Sequence, residues 1–126
     1  MKKIIVVIAL IVGCLSCFGG NWKTIEDENI QGLSLVGKDN SIFSVMKFNG
    51  ENSCQIGLVI NNLNKIRKSD FIDVYVDGVR FRIGDVIILK GEYVVGIISG
   101  KQMLKIIEAK KRIRVKYSEH TFEFVP

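Results

Sequence analysis

The stretch from Ile72 to Ile83 constrains the fold most, because two runs of alternating apolar residues meet there at Val76-Asp77-Gly78-Val79. Aspartate and glycine tolerate the positive φ angles of a two-residue hairpin turn, so the runs are expected to fold back on each other as antiparallel strands. Pairing outward from the turn sets Val76 against Val79, Val74 against Phe81 and Ile72 against Ile83, all on one face. The other face receives Asp73 opposite Arg82 and Tyr75 opposite Arg80. One arginine then meets a carboxylate and the other can lie on an aromatic ring. Ordinary cross-strand pairing accounts for both arginines; an anion site is the functional alternative.

The same period of two recurs along the chain. Trp22-Lys23-Thr24-Ile25 reads as a short first strand, and Gly32 to Val36 and Ile42 to Phe48 flank the turn-forming cluster Gly37-Lys38-Asp39-Asn40. Beyond Cys54, Ile56, Leu58 and Ile60 alternate with Gln55, Gly57 and Val59, the pattern of a half-buried strand. Asn61 to Ser69 is polar and loop-like. Asp85 to Leu89 and Tyr93 to Ile98 add two strands about Lys90-Gly91-Glu92.

At Ser99 the period changes to 3.6. Ser99 and Gln102 compose a capping box; Met103, Leu104, Ile106 and Ile107 cover one side, and Lys101, Gln102, Lys105 and Glu108 the other. A short helix over about residues 99–110, packed on a sheet, is predicted. A closing hairpin presents Ile113, Val115 and Tyr117 with Phe122, Phe124 and Pro126. A four-residue loop, Ser118 to Thr121, would oppose Val115 to Phe124 and Lys116 to Glu123. The expected fold is therefore mainly β: an antiparallel β-sandwich or partly open barrel of about seven to nine strands with one short α-helix in the C-terminal half.

The N-terminus has a different character. Lys2 and Lys3 precede an unbroken apolar run, Ile4 to Val12, which leads into Gly13-Cys14-Leu15-Ser16-Cys17. A basic start followed by a short apolar run is an export signal. As a helix the run would rise only about 14 Å, roughly half the hydrocarbon thickness, so it suits targeting better than spanning. The division expected is a signal peptide over 1–13, a tether over 14–21 that includes Gly19-Gly20-Asn21, and one β-rich domain over 22–126.

Charge and cysteines add bounds. The net charge is +5, and without Lys2 and Lys3 the chain carries 16 basic against 13 acidic residues. The excess lies in the C-terminal half: residues 65–126 hold 13 basic and eight acidic groups, residues 22–64 three and five. Lys110, Lys111, Arg112 and Arg114 form the densest basic patch. It suits anionic phospholipid, lipopolysaccharide or an acidic protein, whereas an exported chain has little access to nucleic acid. An oxidising compartment permits a disulfide between Cys17 and Cys54, although a buried free thiol at Cys54 is the commoner arrangement.

No catalytic constellation stands out. His120, the one histidine, falls in a turn beside Ser118 and Glu119, where neighbouring side chains point apart. No metal is expected from this spacing of ligand types, and no phosphate-binding loop of the GxxxxGK[ST] or GxGxxG kind occurs. No enzyme activity and no cofactor are expected.

Ile11-Val12-Gly13-Cys14 resembles the bacterial lipobox. The resemblance implies cleavage before Cys14, diacylglycerol on its thiol and an acyl chain on its new amino group. With Leu15 following, it implies the outer membrane where a cell has one. Cleavage at Cys17 or near Gly20 is the alternative. The order of an Asp-Gly hairpin, a short helix ending at Ala109-Lys110-Lys111, then Ile113 to Tyr117 and Thr121 to Phe124, looks like the C-terminal half of periplasmic β-sandwich proteins of the invasion-associated locus B type. The paired cysteines that family often carries are absent here. The function expected is that of an exported, lipid-anchored envelope protein, a non-catalytic module for macromolecule binding, adhesion or inhibition. Its partners would be the membrane, through the lipid, and an envelope protein or anionic envelope surface. A carrier holding a lipid or small molecule between its sheets, and a small hydrolase, are the alternatives.

Overall fold

A computed structural model describes residues 21–26, 28–48, 54–61 and 63–126. The expected signal peptide over 1–13, Cys14 and Cys17 lie outside the described residues. Among the described residues, ten strands and one α-helix follow in order: β1 (Lys23–Glu26), β2 (Ile30–Val36), β3 (Ile42–Phe48), β4 (Cys54–Val59), β5 (Phe71–Val76), β6 (Val79–Gly84), β7 (Ile87–Leu89), β8 (Tyr93–Ile98), α1 (Gly100–Ile107), β9 (Ile113–Tyr117) and β10 (His120–Phe124). They form two antiparallel sheets, one of six strands in the order β1-β2-β3-β4-β8-β7 and one of four in the order β10-β9-β5-β6. The arrangement is sandwich-like, and neither sheet closes into a barrel.

Ten strands form, one above the expected seven to nine, and at Asp85 the chain changes sheets. Its φ of +53° ends β6, and β7 starts at Ile87 rather than Asp85, on the far edge of the other sheet.

The β5–β6 hairpin has the register expected from its turn, from Val76 opposite Val79 out to Ile72 opposite Ile83. Asp77 and Gly78 adopt φ of +48° and +91°, the positive values that such a turn demands. Inward residues of both sheets, among them Leu33, Phe43, Ile56, Leu58, Ile72, Val74, Val115 and Tyr117, are fully buried in one core. The Phe43 and Phe124 rings meet across the sheets at 5.6 Å. Tyr117 also finds a polar partner, its hydroxyl accepting the Ser69 backbone N–H at 3.0 Å.

Helix α1 has the expected capping box, with Ser99 accepting from the Gln102 N–H and Gln102 accepting from the Ser99 N–H. Two expectations fail here. Met103, Ile106 and Ile107 are buried, but Leu104 stays 43% exposed, because the contact stripe is only wide enough for the i, i+3, i+4 set. The helix also stops at Ile107, not near 110. The N–H groups of Lys110, Lys111 and Arg112, which would continue it, donate instead to the Asp77 carboxylate.

The β9–β10 hairpin departs from expectation as well. Ser118 takes φ +57° and the turn needs only two residues, so His120 opposes Tyr117 and Phe122 opposes Val115. Relative to a four-residue loop, this register moves each β10 residue by two positions. The slip preserves faces, which is why Phe122, Phe124 and Pro126 are still buried, but it changes the charge pairing. Lys116 faces Thr121, and Arg114 faces Glu123.

Candidate functional site

The outward face of the four-stranded sheet concentrates the charge. Strand pairing lines up Glu123, Arg114, Tyr75 and Arg80 in one row across β10, β9, β5 and β6. The next row is Thr121, Lys116, Asp73 and Arg82. Lys110, Lys111 and Arg112 adjoin the first row, so seven cations share this region with the carboxylates of Asp73, Asp77 and Glu123. Beside the first row, Tyr75, Asp77, Gly78, Lys111, Arg112 and Arg114 line a depression of about 430 Å³.

Asp77 builds one wall of this depression. Its carboxylate accepts from the backbone N–H of Lys110 at 2.9 Å, Lys111 at 2.8 Å and Arg112 at 3.0 Å, and its own N–H donates to the Arg112 carbonyl at 3.0 Å. Those bonds, led by the one from Lys110, hold the Asp77 carboxyl below the usual range. A turn aspartate thus fixes the backbone from which the basic patch projects. Only its turn role was legible locally; an aspartate facing three consecutive N–H groups some thirty residues away leaves no sequence signal.

Three of the cations are already engaged. Glu123 Oε1 accepts from Arg114 Nε at 2.9 Å and from Arg112 at 3.5 Å, with all three side chains about half exposed. Arg82 grips Asp73 through two bonds, at 2.9 and 3.1 Å, and lies 4.0 Å over the Phe71 ring. The expected division, one arginine on a carboxylate and the other on a ring, is therefore replaced by Arg82 doing both. Lys110, Lys111, Lys116 and Arg80 form no ion pair within 4 Å among the described residues and keep their charge available.

Asp73 and Asp77 predict a pH dependence. The Arg82 hydrogen bond is the largest influence lowering the Asp73 carboxyl, opposed by burial. A carboxyl depressed in the folded state stabilises the fold above its unfolded pKa, about 3.9, and this contribution is lost as pH falls through the folded value. Urea unfolding should therefore show little change in stability from pH 7 to 5 from these groups and a progressive loss below about pH 4. In Asp73→Asn the acid loss should be smaller than in the parent chain.

The remaining candidates separate. Cys54 is a buried thiol at the start of β4, unpaired among the described residues, with burial raising its pKa; Cys17, the possible disulfide partner, lies outside them. His120 is exposed and lines a shallow depression with Asp39, Asn61 and Lys65. The Asp39 carboxylate there is committed to the Ser41 hydroxyl and N–H. Among the described residues, no group of three or more His, Cys, Asp or Glu side chains is arranged to hold a metal, and no helix is long and apolar enough to cross a membrane.

Asn21, where the described chain begins, donates to the Val125 carbonyl at 3.2 Å and lines a further depression with Lys23, Lys38 and Arg112. The start of the domain and the basic patch are therefore neighbours, a relation that spacing along the chain does not reveal. Scans against protein-family models, curated proteins and solved structures find no match for this chain.

Proposed function

We propose that this chain is an exported envelope protein, lipid-anchored through Cys14, whose folded domain is a non-catalytic module binding an anionic envelope macromolecule. The observation that carries the reading is the placement of the basic patch: Arg112 lies beside Asn21, the last residue of the tether. Six residues, Leu15 to Gly20, separate the lipidated position from Asn21, a reach over seven steps of at most about 25 Å. A chain held by lipid at Cys14 would therefore keep Lys23, Lys38, Lys110, Lys111, Arg112 and Arg114 close to the anionic membrane surface. The lipid anchor and a basic surface then reinforce each other. Binding on the outer face is also favoured because the space between the sheets is filled by side chains such as Tyr117, Phe43 and Phe124.

Two variants test this separately. Cys14→Ser should abolish incorporation of labelled fatty acid and release the protein from membranes; unchanged labelling would remove the lipid anchor from the proposal. Replacing Lys110, Lys111, Arg112 and Arg114 together by Gln leaves the backbone bonds to Asp77 in place. At about 1 kcal/mol for each basic residue near an anionic surface, and with two of the four shared with Glu123, partition onto vesicles of mixed zwitterionic and anionic phospholipid should weaken roughly 100-fold at low salt. The difference should shrink as salt rises. Equal partition of parent and variant onto vesicles, together with equal binding to polyglutamate, would reduce the patch to a solvated surface.

A further inference from the structure

We propose that the outward face of the six-stranded sheet is the contact surface of a homodimer, in which two copies of this chain pack sheet against sheet. Strand register assigns that face residue by residue. Its first row is Val36, Ile42, Val59, Tyr93 and Leu89. The second is Lys23, Ser34, Ser44, Gly57, Val95 and Ile87. The third is Ile25, Gly32, Met46, Gln55 and Ile97. Lys23, on edge strand β1, is the one formally charged residue in the three rows.

Such a composition is unusual for a sheet face that meets water, where alternation ordinarily brings polar residues outward. Here the outward positions are almost as apolar as the inward ones. Ile97 is 65% exposed, Ile87 56%, Val36 52% and Leu89 47%. Val95 is buried yet stands outside the core cluster.

Three observations select a second copy as the occupant. The first is charge. A face that carries almost no charge is complementary to itself, whereas the cationic face of the other sheet would repel its own copy. An anionic bilayer or an acidic partner gains no electrostatic attraction here. The second is relief. Gly32, Ser34, Ser44 and Gly57 make a low band over β2, β3 and β4, beside the raised edge of Ile87, Leu89, Tyr93 and Ile97 on β7 and β8. A two-fold axis lying in the interface, parallel to the strands and between β4 and β8, would exchange band and edge, seating each copy's edge on its partner's band, as an isologous contact requires. Met46, whose Cγ and Cε lie 3.0 and 3.3 Å from where side chains on Gly32 and Gly57 would begin, lays a flexible thioether along the band that can shift to receive the partner's edge.

The third observation is size. Strands about 4.8 Å apart and three rows about 6.8 Å apart give a projected area on the order of 400–500 Å². Side-chain relief brings the accessible surface toward the roughly 800 Å² per partner of a stable interface, and folded monomers rarely leave so large an apolar patch open. Sheets packed in this way lie about 10 Å apart. Both basic faces would then point outward, so each dimer presents its anion-binding surface twice.

Sedimentation equilibrium of the native protein, isolated from its own cells in density-matched detergent, tests the proposal. Twice the single-chain mass is expected. The double variant Ile87→Lys and Ile97→Lys should sediment as a single chain, with an unchanged far-UV circular dichroism spectrum, and its dimer dissociation constant should rise at least 100-fold. Ile97→Ser, which adds no charge at an exposed position, should weaken association about tenfold and guards against a folding defect. Neutralising Lys110, Lys111, Arg112 and Arg114 should leave the mass doubled, which separates this inference from the proposed function. A single-chain mass for the native protein, or a dimer that persists in the double lysine variant, would overturn it. If vesicle binding by a monomer falls in Ile97→Lys instead, the face belongs to the bilayer and the proposal fails.

Discussion

Phe124→Ala is expected to cost about 3–5 kcal/mol of folding stability, the range for deleting a fully buried phenylalanine. Phe124 is wholly buried on β10 and meets Phe43 of β3, so one ring joins the last strand of one sheet to the middle of the other. Its neighbourhood has little room to collapse: a side chain built on Gly37 would already lie 3.2 Å from the Phe124 ring. A cavity would therefore persist rather than fill, and the larger part of the range is expected. For a domain of this size each kcal/mol shifts the melting temperature by about 4–8 °C, so a fall of roughly 15–30 °C should be seen by calorimetry. Phe124→Leu, which keeps most of the volume, should lose much less. A fall of only a few degrees in Phe124→Ala would mean that the sheets are not held together through this contact.

Asp77→Ala should be the most damaging change on the surface, at about 2–4 kcal/mol. It removes the acceptor of three backbone N–H groups, each bond reduced in value by exposure, and places an alanine at positive φ at a cost of about 1–2 kcal/mol. Asp77→Gly separates the two effects, because it relieves the turn and still loses the carboxylate. Asp77→Asn keeps one oxygen acceptor and tolerates the turn, so it should cost about 1 kcal/mol. The functional consequence follows from position. Every cation of the patch survives in Asp77→Gly, yet the segment that carries Lys110, Lys111 and Arg112 loses its anchor. Amide exchange at those three positions should accelerate, and binding to anionic vesicles should fall although net charge has risen by one. Unchanged exchange there would show that the segment is held by its connections to α1 and β9 alone.

Local chemistry carried a large part of the architecture. Asp77-Gly78 set the β5–β6 register because only positive φ fits a two-residue turn there, and Ser99 with Gln102 placed the start of α1 because free N–H groups need those acceptors. Alternation identified the inward residues of β4, β9 and β10. The same alternation is blind to a two-residue slip, since such a slip keeps every face, and this is why Glu123 lies opposite Arg114 and not Lys116. It is also blind to which strands become neighbours.

That second blindness governs the candidate surfaces. The sequence by itself determined a β-rich domain, one capped helix and a basic C-terminal half, all of which depend on residues close together in the chain. Tertiary structure alone decided that β5 lies between β6 and β9, setting Tyr75 between Arg80 and Arg114. It also brought Asn21 to Arg112, clamped the patch with Asp77, and gathered outward side chains of six strands into one face whose single formal charge is Lys23. Those contacts join residues tens of positions apart, and their energies depend on how two sheets pack as a whole. No short window of sequence contains both partners, so no local rule could have paired them.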